Sequence, residues 1–302
     1  MKDIAYHILR FVLRALGALP LPFHYACGKF LSWLAGSVLR YRRDVVMINL
    51  ARSFPDKKYG ELKQICKQFY TRFGEILAEA VWFGGCSNPE RLKTAGIVRM
   101  TNPEELNRLY ENSGSVFVLA SHSGNWELFG GFASYSPEVP LSVDEMDVCV
   151  VFKRLSSEVW DRVMQENRKT PIVDKAHYEG EIESMSIMRY MINHRDQKKV
   201  YAFITDQHPY KGASRIEVGE FMHQPTKSLD GAAKLAAKFG MSVAYLTMVP
   251  ESRGHYTMTF TTICENASEM SPEDIMKKYY ELLQKDIEAT PCNYLWTHKR
   301  WK

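Results

Sequence analysis

Apolar residues fall at helical spacing through residues 60–83, GELKQICKQFYTRFGEILAEAVWF, with Leu62, Ile65, Phe69, Phe73, Ile76, Leu77 and Ala80 on one side. That period predicts a long amphipathic helix whose work is packing. Further along the pattern shortens. Apolar runs rich in Val, Thr and aromatic residues occupy 115–120, 147–152, 199–205, 241–250 and 255–263, and read as strands. Helical stretches are predicted at roughly 126–134, 156–168, 181–194, 228–238 and 272–289. Strands alternating with helices predict an α/β fold built on a single mixed, mostly parallel sheet flanked by helices.

The first 43 residues have a different pattern. Residues 4–39 are strongly apolar and aromatic, yet their longest run free of charge is Ala15–Gly28, which contains Pro20 and Pro22. A simple spanning helix needs about 20 uninterrupted apolar residues. Arg10 and Arg14 also interrupt any secretory h-region. Seven cations against Asp3 put residues 1–43 at +6, leaving −2 for the other 259 residues of a chain whose net charge is +4. Two readings fit. One is a broken pair of helices lying in a membrane interface, with Tyr6, Trp33 and Tyr41 at the boundary. The other is a buried helical hairpin of a soluble protein. The RYRR cluster at 40–43, beside so many aromatic residues, favours the first, and positive charge kept inside would leave the main body facing the cytoplasm. No linker or repeat divides residues 44–302. The expected organisation is therefore a membrane-associating helical segment over 1–43 and one domain over 44–302.

Composition narrows the function. A body carrying −2 is a poor match for nucleic-acid binding. Neither G-x-x-x-x-G-K nor G-x-G-x-x-G occurs, so no phosphate loop points to a nucleotide enzyme. The six cysteines have no C-x-x-C spacing and read as reduced thiols, and there is no H-E-x-x-H. Neither a metal nor a cofactor is expected.

The candidate chemistry lies in LASHSGNWELFGG, residues 119–131. Parallel α/β sheets place ligands at the carboxyl ends of strands, which is where His122 falls after the 115–120 run. Gly124 permits a tight turn, Asn125 is a candidate helix N-cap, and Glu127 enters the first helical turn. A neutral imidazole can take a proton from a substrate hydroxyl while a carboxylate fixes its tautomer. With no G-x-S-x-G elbow, the attacking oxygen is expected to be the substrate's own. A glutamate in a first helical turn is also explained by the helix dipole alone, and the residues by themselves leave both explanations standing.

Other strand ends offer partners. Asp206, Gln207 and His208 close the 199–205 strand, where Asp206 could orient a positive group or, with Pro209, simply build a turn, and Gln207 could bind substrate. Gln224 and Thr226 precede the 228–238 helix, with Ser228 as its expected N-cap, and sit where helix donors could hold an anion. Lys153, Arg154, Arg168, Lys299, Arg300 and Lys302 could form a basic rim, and the Trp296–Trp301 tail suits either a membrane interface or packed core.

His-Ser-Gly-Asn-Trp-Glu resembles the H-x4-D/E motif of the lysophospholipid acyltransferase superfamily, in the form found in the lipid A late acyltransferases. Three further segments resemble that family in order: YRRDVVMINLARSFPDK (41–57), the long stretch 205–246 built on Asp206-Gln207 and Gln224-Pro225-Thr226, and YLWTHKRWK (294–302). The resemblance implies transfer of a fatty acyl chain from an acyl carrier protein thioester to a hydroxyl of a lipid A precursor. It implies His122 as base and Glu127 as its partner, with Asn125, Lys153, Arg154, Asp206, Gln207, Gln224 and Thr226 serving the substrates. It also implies anchoring on the cytoplasmic face of the inner membrane, among its lipids. The family's aromatic-Arg-Pro-Leu sequence reads Phe152-Lys153-Arg154-Leu155 here, which leaves open which of the two cations takes the arginine's place. Acylation of a lysophospholipid or an amino-acid lipid is the alternative, and a non-catalytic lipid-binding protein a more distant one.

Overall fold

The apolar run at the centre of the chain forms strand Val116–Ala120, buried along its whole length. Its alternation splits the interior in two. Phe117 and Leu119 join one core with Tyr201 and Tyr245, while Val116, Val118 and Ala120 join a second with Leu128 and Phe132. An unbroken apolar strand is what a sheet covered on both faces requires.

The computed structural model describes residues 2–86, 88–135 and 139–301. Its helices are α1 (Lys2–Gly17), α2 (Leu21–Trp33), α3 (Arg43–Ser53), α4 (Tyr59–Gly85), α5 (Pro89–Thr94), α6 (Pro103–Ser113), α7 (Phe132–Tyr135), α8 (Glu158–Arg168), α9 (Ile187–Asn193), α10 (Gly231–Phe239) and α11 (Pro272–Ala289). The strands are β1 (Val98–Met100), β2 (Val116–Ala120), β3 (Val148–Phe152), β4 (Glu181–Glu183), β5 (Val200–Ile204), β6 (Arg215–Phe221), β7 (Gln224–Leu229), β8 (Ser242–Ser252) and β9 (His255–Cys264). Seven strands form one sheet in the order β1-β9-β8-β2-β5-β3-β4. Only the β8–β9 pairing is antiparallel, so the sheet is mixed and mostly parallel, as the sequence pattern predicts.

Three expected helices are corrected. Residues 228–238 give a helix only from Gly231; Gln224–Leu229 instead pairs with β6 in a separate hairpin, which turns through Met222 and His223 at φ 51° and 63°. Ser228 is therefore a buried strand residue and no N-cap. Pro225 lies within β7, a position open to proline because this two-stranded hairpin consists of edges. Residues 181–194 begin as the edge strand β4 and become helical only at Ile187. Residues 126–134 form a 3-10 helix, Trp126–Gly131, continued by α7.

The N-terminal pair packs on α4 rather than hanging free. Gly17 lies against Gly85 and Gly28 against Gly74, so closely that a Cβ on any of the four would strike backbone. The pair is bent by 114°, and among the described residues no single helix is long and apolar enough to cross a membrane, although the bent pair is by length and composition. Ile4, Ile8, Phe11, Phe30, Trp33 and Leu39 remain exposed.

Beside β4 lies a cleft of 530 Å³ lined by Arg154, Lys169, Glu181, Glu183, Arg189 and His194 among others. Burial pushes Glu181 up to about 7, against the pull of Lys169 at 3.5 Å and of Arg168. Its Oε1 has no hydrogen-bond partner among the described residues. A carboxyl raised in this way contributes stability below its ordinary value and loses it as pH climbs through about 7. Glu181→Gln is therefore expected to gain on the wild type by about 1–3 kcal/mol between pH 5 and pH 8. Urea unfolding at both pH values checks this, and a difference constant with pH would sink it.

Candidate active site

β2 and β5 pair in parallel with Ala120 opposite Ile204. His122 and Asp206 each lie two residues beyond those partners, so equal overhangs bring them together above the sheet. His122 Nδ1 donates to Asp206 Oδ1 at 2.7 Å. On the other side of the ring, Gln207 Nε2 donates to His122 Nε2 at 3.2 Å. With the proton held on Nδ1, Nε2 carries a lone pair, now covered by the Gln207 amide.

Burial alone would lower the His122 pKa, but the Asp206 charge, the hydrogen bond the ring donates to it and the charge of Glu127 together raise it above the ordinary histidine value. Asp206 is 2% exposed, and burial works to raise it; the His122 charge and hydrogen bond, with help from Arg300, hold it below the usual aspartate range. The pair thus stabilises the positive charge that the ring acquires when Nε2 takes a proton.

The carboxylate bonded to the ring is thus Asp206 and not the Glu127 expected from sequence. Glu127 Oε1 accepts from Trp126 Nε1 at 3.1 Å, and the Trp126 ring meets the His122 ring edge-on at 5.3 Å. Glu127 borders the site through Trp126 and through its charge. The Asn125 side chain does not cap the following helix either. It is fully buried and donates from Nδ2 to Glu79 Oε2 at 2.8 Å.

The turn that carries His122 is fixed from the C-terminal segment. Leu295 N donates to His122 O at 3.0 Å. Gly124 N donates to Asn293, whose Nδ2 donates to Met248 O at 2.9 Å. Gly124 has φ +63°, and a Cβ there would crowd Met248. Tyr279 and Tyr280 of α11 donate to Ala120 O and Thr205 O, at the roots of the two overhangs. None of Asn293, Leu295, Tyr279 or Tyr280 carries a local sequence signal, since each acts through a contact distant along the chain.

The remaining candidates are spread around this centre. Lys153 and Arg154 follow β3, which pairs with β5, and so reach the same sheet end. Lys153 Nζ lies 3.6 Å from the centre of the Tyr210 ring, and Arg154 Nε is 3.0 Å from Glu183 Oε2 with a side chain 66% exposed. Gln224 and Thr226 are buried in the hairpin, where Thr226 Oγ1 donates to Gln224 O and accepts from Trp301 Nε1, both at 2.9 Å. That is a packing role, and the expected helix start beside them is absent. Arg300, a candidate for the basic rim, is instead a core residue, and Trp296, read as either interface or packed core, is core. Arg300 Nη2 donates to Lys227 O and the Tyr280 hydroxyl, and Trp296 Nε1 to Pro291 O. Among the described residues no three His, Cys, Asp or Glu side chains converge as a metal site.

This centre can hold a neutral histidine ready to take a proton at Nε2 and stabilise the cation that results. A family model described as bacterial lipid A biosynthesis acyltransferase matches residues 3–302. No curated protein matches the chain.

Proposed function

Since the chain belongs to the bacterial lipid A biosynthesis acyltransferase family, and so is a transferase that acylates lipid A, we propose that it takes the acyl chain from an acyl carrier protein thioester with His122 as general base. The observation that carries this reading is the His122–Asp206 bond at 2.7 Å, which leaves Nε2 as the proton acceptor.

The acceptor hydroxyl displaces the Gln207 amide from Nε2 and gives its proton to the ring. Its oxygen attacks the thioester carbonyl, forming the C–O bond and a tetrahedral intermediate. Collapse breaks the C–S bond, and the imidazolium returns the proton from Nε2 to the departing thiolate. Asp206 holds the tautomer and offsets the ring's positive charge, and Glu127 adds a second negative charge at longer range. Lys153 and Arg154 present exposed positive charge at the same sheet end, which suits an acidic carrier and a phosphorylated acceptor.

The N-terminal pair supports a place on the inner membrane surface with the catalytic body on the cytoplasmic side. Within residues 1–43, exposed Phe11, Phe30, Trp33 and Leu39 accompany a net charge of +6, the combination of an interfacial segment on anionic lipid.

The test is an assay of detergent-solubilised protein with acyl carrier protein thioesters of mixed chain length. An under-acylated Kdo-lipid A and a lysophospholipid are offered separately, and mass spectrometry reads the added acyl chain. Acylation of the lipid A precursor is expected. If thioesters on the carrier protein are not used while coenzyme A thioesters are, the donor assignment fails.

A further inference from the structure

Glu79 lies on the apolar stripe of α4, three residues after Ile76 and four before Phe83, and is 3% exposed. Three donors from three other parts of the chain converge on it. The Tyr25 hydroxyl of α2 reaches Oε1 at 2.9 Å, while Asn125 Nδ2 and the Tyr256 hydroxyl of β9 reach Oε2 at 2.8 and 2.7 Å. Burial pushes Glu79 up from the usual carboxylate range; the three donors pull it back, and Glu75 one turn earlier adds to the rise. A carboxylate at this depth is costly unless its lone pairs are filled, and here donors from every side fill them.

The placement of Asn125 makes the cluster informative. An asparagine ahead of a helix ordinarily turns its side chain onto the first helical N–H groups. Here it turns inward to Glu79 and leaves that first turn without a side-chain cap. The segment 122–125 is therefore pinned at one end by Asp206, in the middle by Asn293 and at the other end by Glu79. Tyr25 extends the same network to the N-terminal pair. Gly254 leaves room for it, because a Cβ there would strike the Tyr25 hydroxyl.

We propose that Glu79 is a positioning residue for acyl transfer, which through Asn125 fixes the turn bearing His122 and ties it to the seat of α2. This rests on the reading of His122 as the base. Glu79 touches no reacting atom in that mechanism. Its loss misplaces the base within an otherwise formed site, so kcat falls while the KM for the donor stays put.

The experiment uses full-length protein in detergent, the acyl carrier protein thioester and the lipid A precursor. It compares Glu79→Leu, Glu79→Gln, Asn125→Ala and the Glu79→Leu/Asn125→Ala double variant, with thermal unfolding measured for each. Glu79→Leu is expected to lower kcat by about 10–100-fold. Glu79→Gln keeps an oxygen for Asn125 and should stay within about threefold of the wild type. The double variant should be no slower than the slower single one, because the two residues act in series. A folded Glu79→Leu with wild-type kcat overturns the proposal, as does a double variant whose losses multiply. Should Glu79→Leu fail to fold, Asn125→Ala decides: wild-type kcat there overturns the proposal, and a loss matching the expected range upholds it. His122→Ala, run alongside, separates the two levels. If it is inactive the base assignment stands whatever Glu79 does; if it transfers acyl chains normally, that assignment falls and this proposal with it.

Discussion

Replacing His122 by alanine is expected to lower kcat for acyl transfer by about 10²–10⁴-fold, the usual worth of a general base. Neither hydrogen-bond partner of the ring can stand in. Gln207 offers Nε2 an amide, which cannot accept a proton at neutral pH, and Asp206 is 2% exposed and held below the aspartate range. Alanine keeps the bond from Leu295 N to the backbone carbonyl at 122 but leaves the buried Asp206 without its ring partner, so some loss of stability is expected beside the loss of rate. Initial rates by mass spectrometry, with thermal unfolding as a control, make the comparison. A folded variant within about threefold of the wild type would remove His122 from the reaction.

Asp206→Asn should cost about as much, roughly 10²–10⁴-fold in kcat, because an amide no longer enforces the Nδ1–H tautomer or balances the imidazolium. It carries a second signature in pH. In the wild type the ring is raised above the ordinary histidine value, burial being outweighed by Asp206 and Glu127, so the neutral base is lost as pH falls through that raised value. Without the Asp206 charge, burial prevails and the ring's pKa drops. The acid limb of kcat/KM, which reports the free enzyme, should move to lower pH even as its plateau collapses. Glu127→Gln should move the limb in the same direction by less, since Glu127 acts on the ring only through its charge. Rate profiles from pH 5 to 9 distinguish these outcomes. An unmoved limb in Asp206→Asn beside a shifted one in Glu127→Gln would hand the orienting role to Glu127.

Five of the seven strands are legible in the sequence as apolar runs between turns, whereas the three-residue edges β1 and β4, the latter reading Glu-Ile-Glu, are not. The runs containing Val116–Ala120 and Val200–Ile204 announce buried strands without reference to anything else in the chain. His122 is legible for the same reason, standing two residues past one of them. Its partner is not. Asp206 is 84 residues away, and only the register of Ala120 with Ile204 shows that two polar overhangs of equal length must meet. Local reading favours Glu127 because five residues is a distance that a sequence displays. The β6–β7 hairpin escapes notice because Pro225 and the bulge between Glu217 and Gly219 break its alternation. Glu79 is a further case. It falls outside the apolar positions read at helical spacing, and only the contacts from Tyr25, Asn125 and Tyr256 show its place in the interior.

The bonds that join Gly124 and His122 to Asn293 and Leu295 also bear on the order of events during synthesis. A nascent chain can lay down β2 and the histidine turn early, yet the groups that fix this turn emerge about 170 residues later. Contacts so distant along the chain form late. Until the 293–300 segment has docked, the turn bearing His122 has Asp206 and Glu79 to hold it but lacks its two anchors from the C-terminal segment.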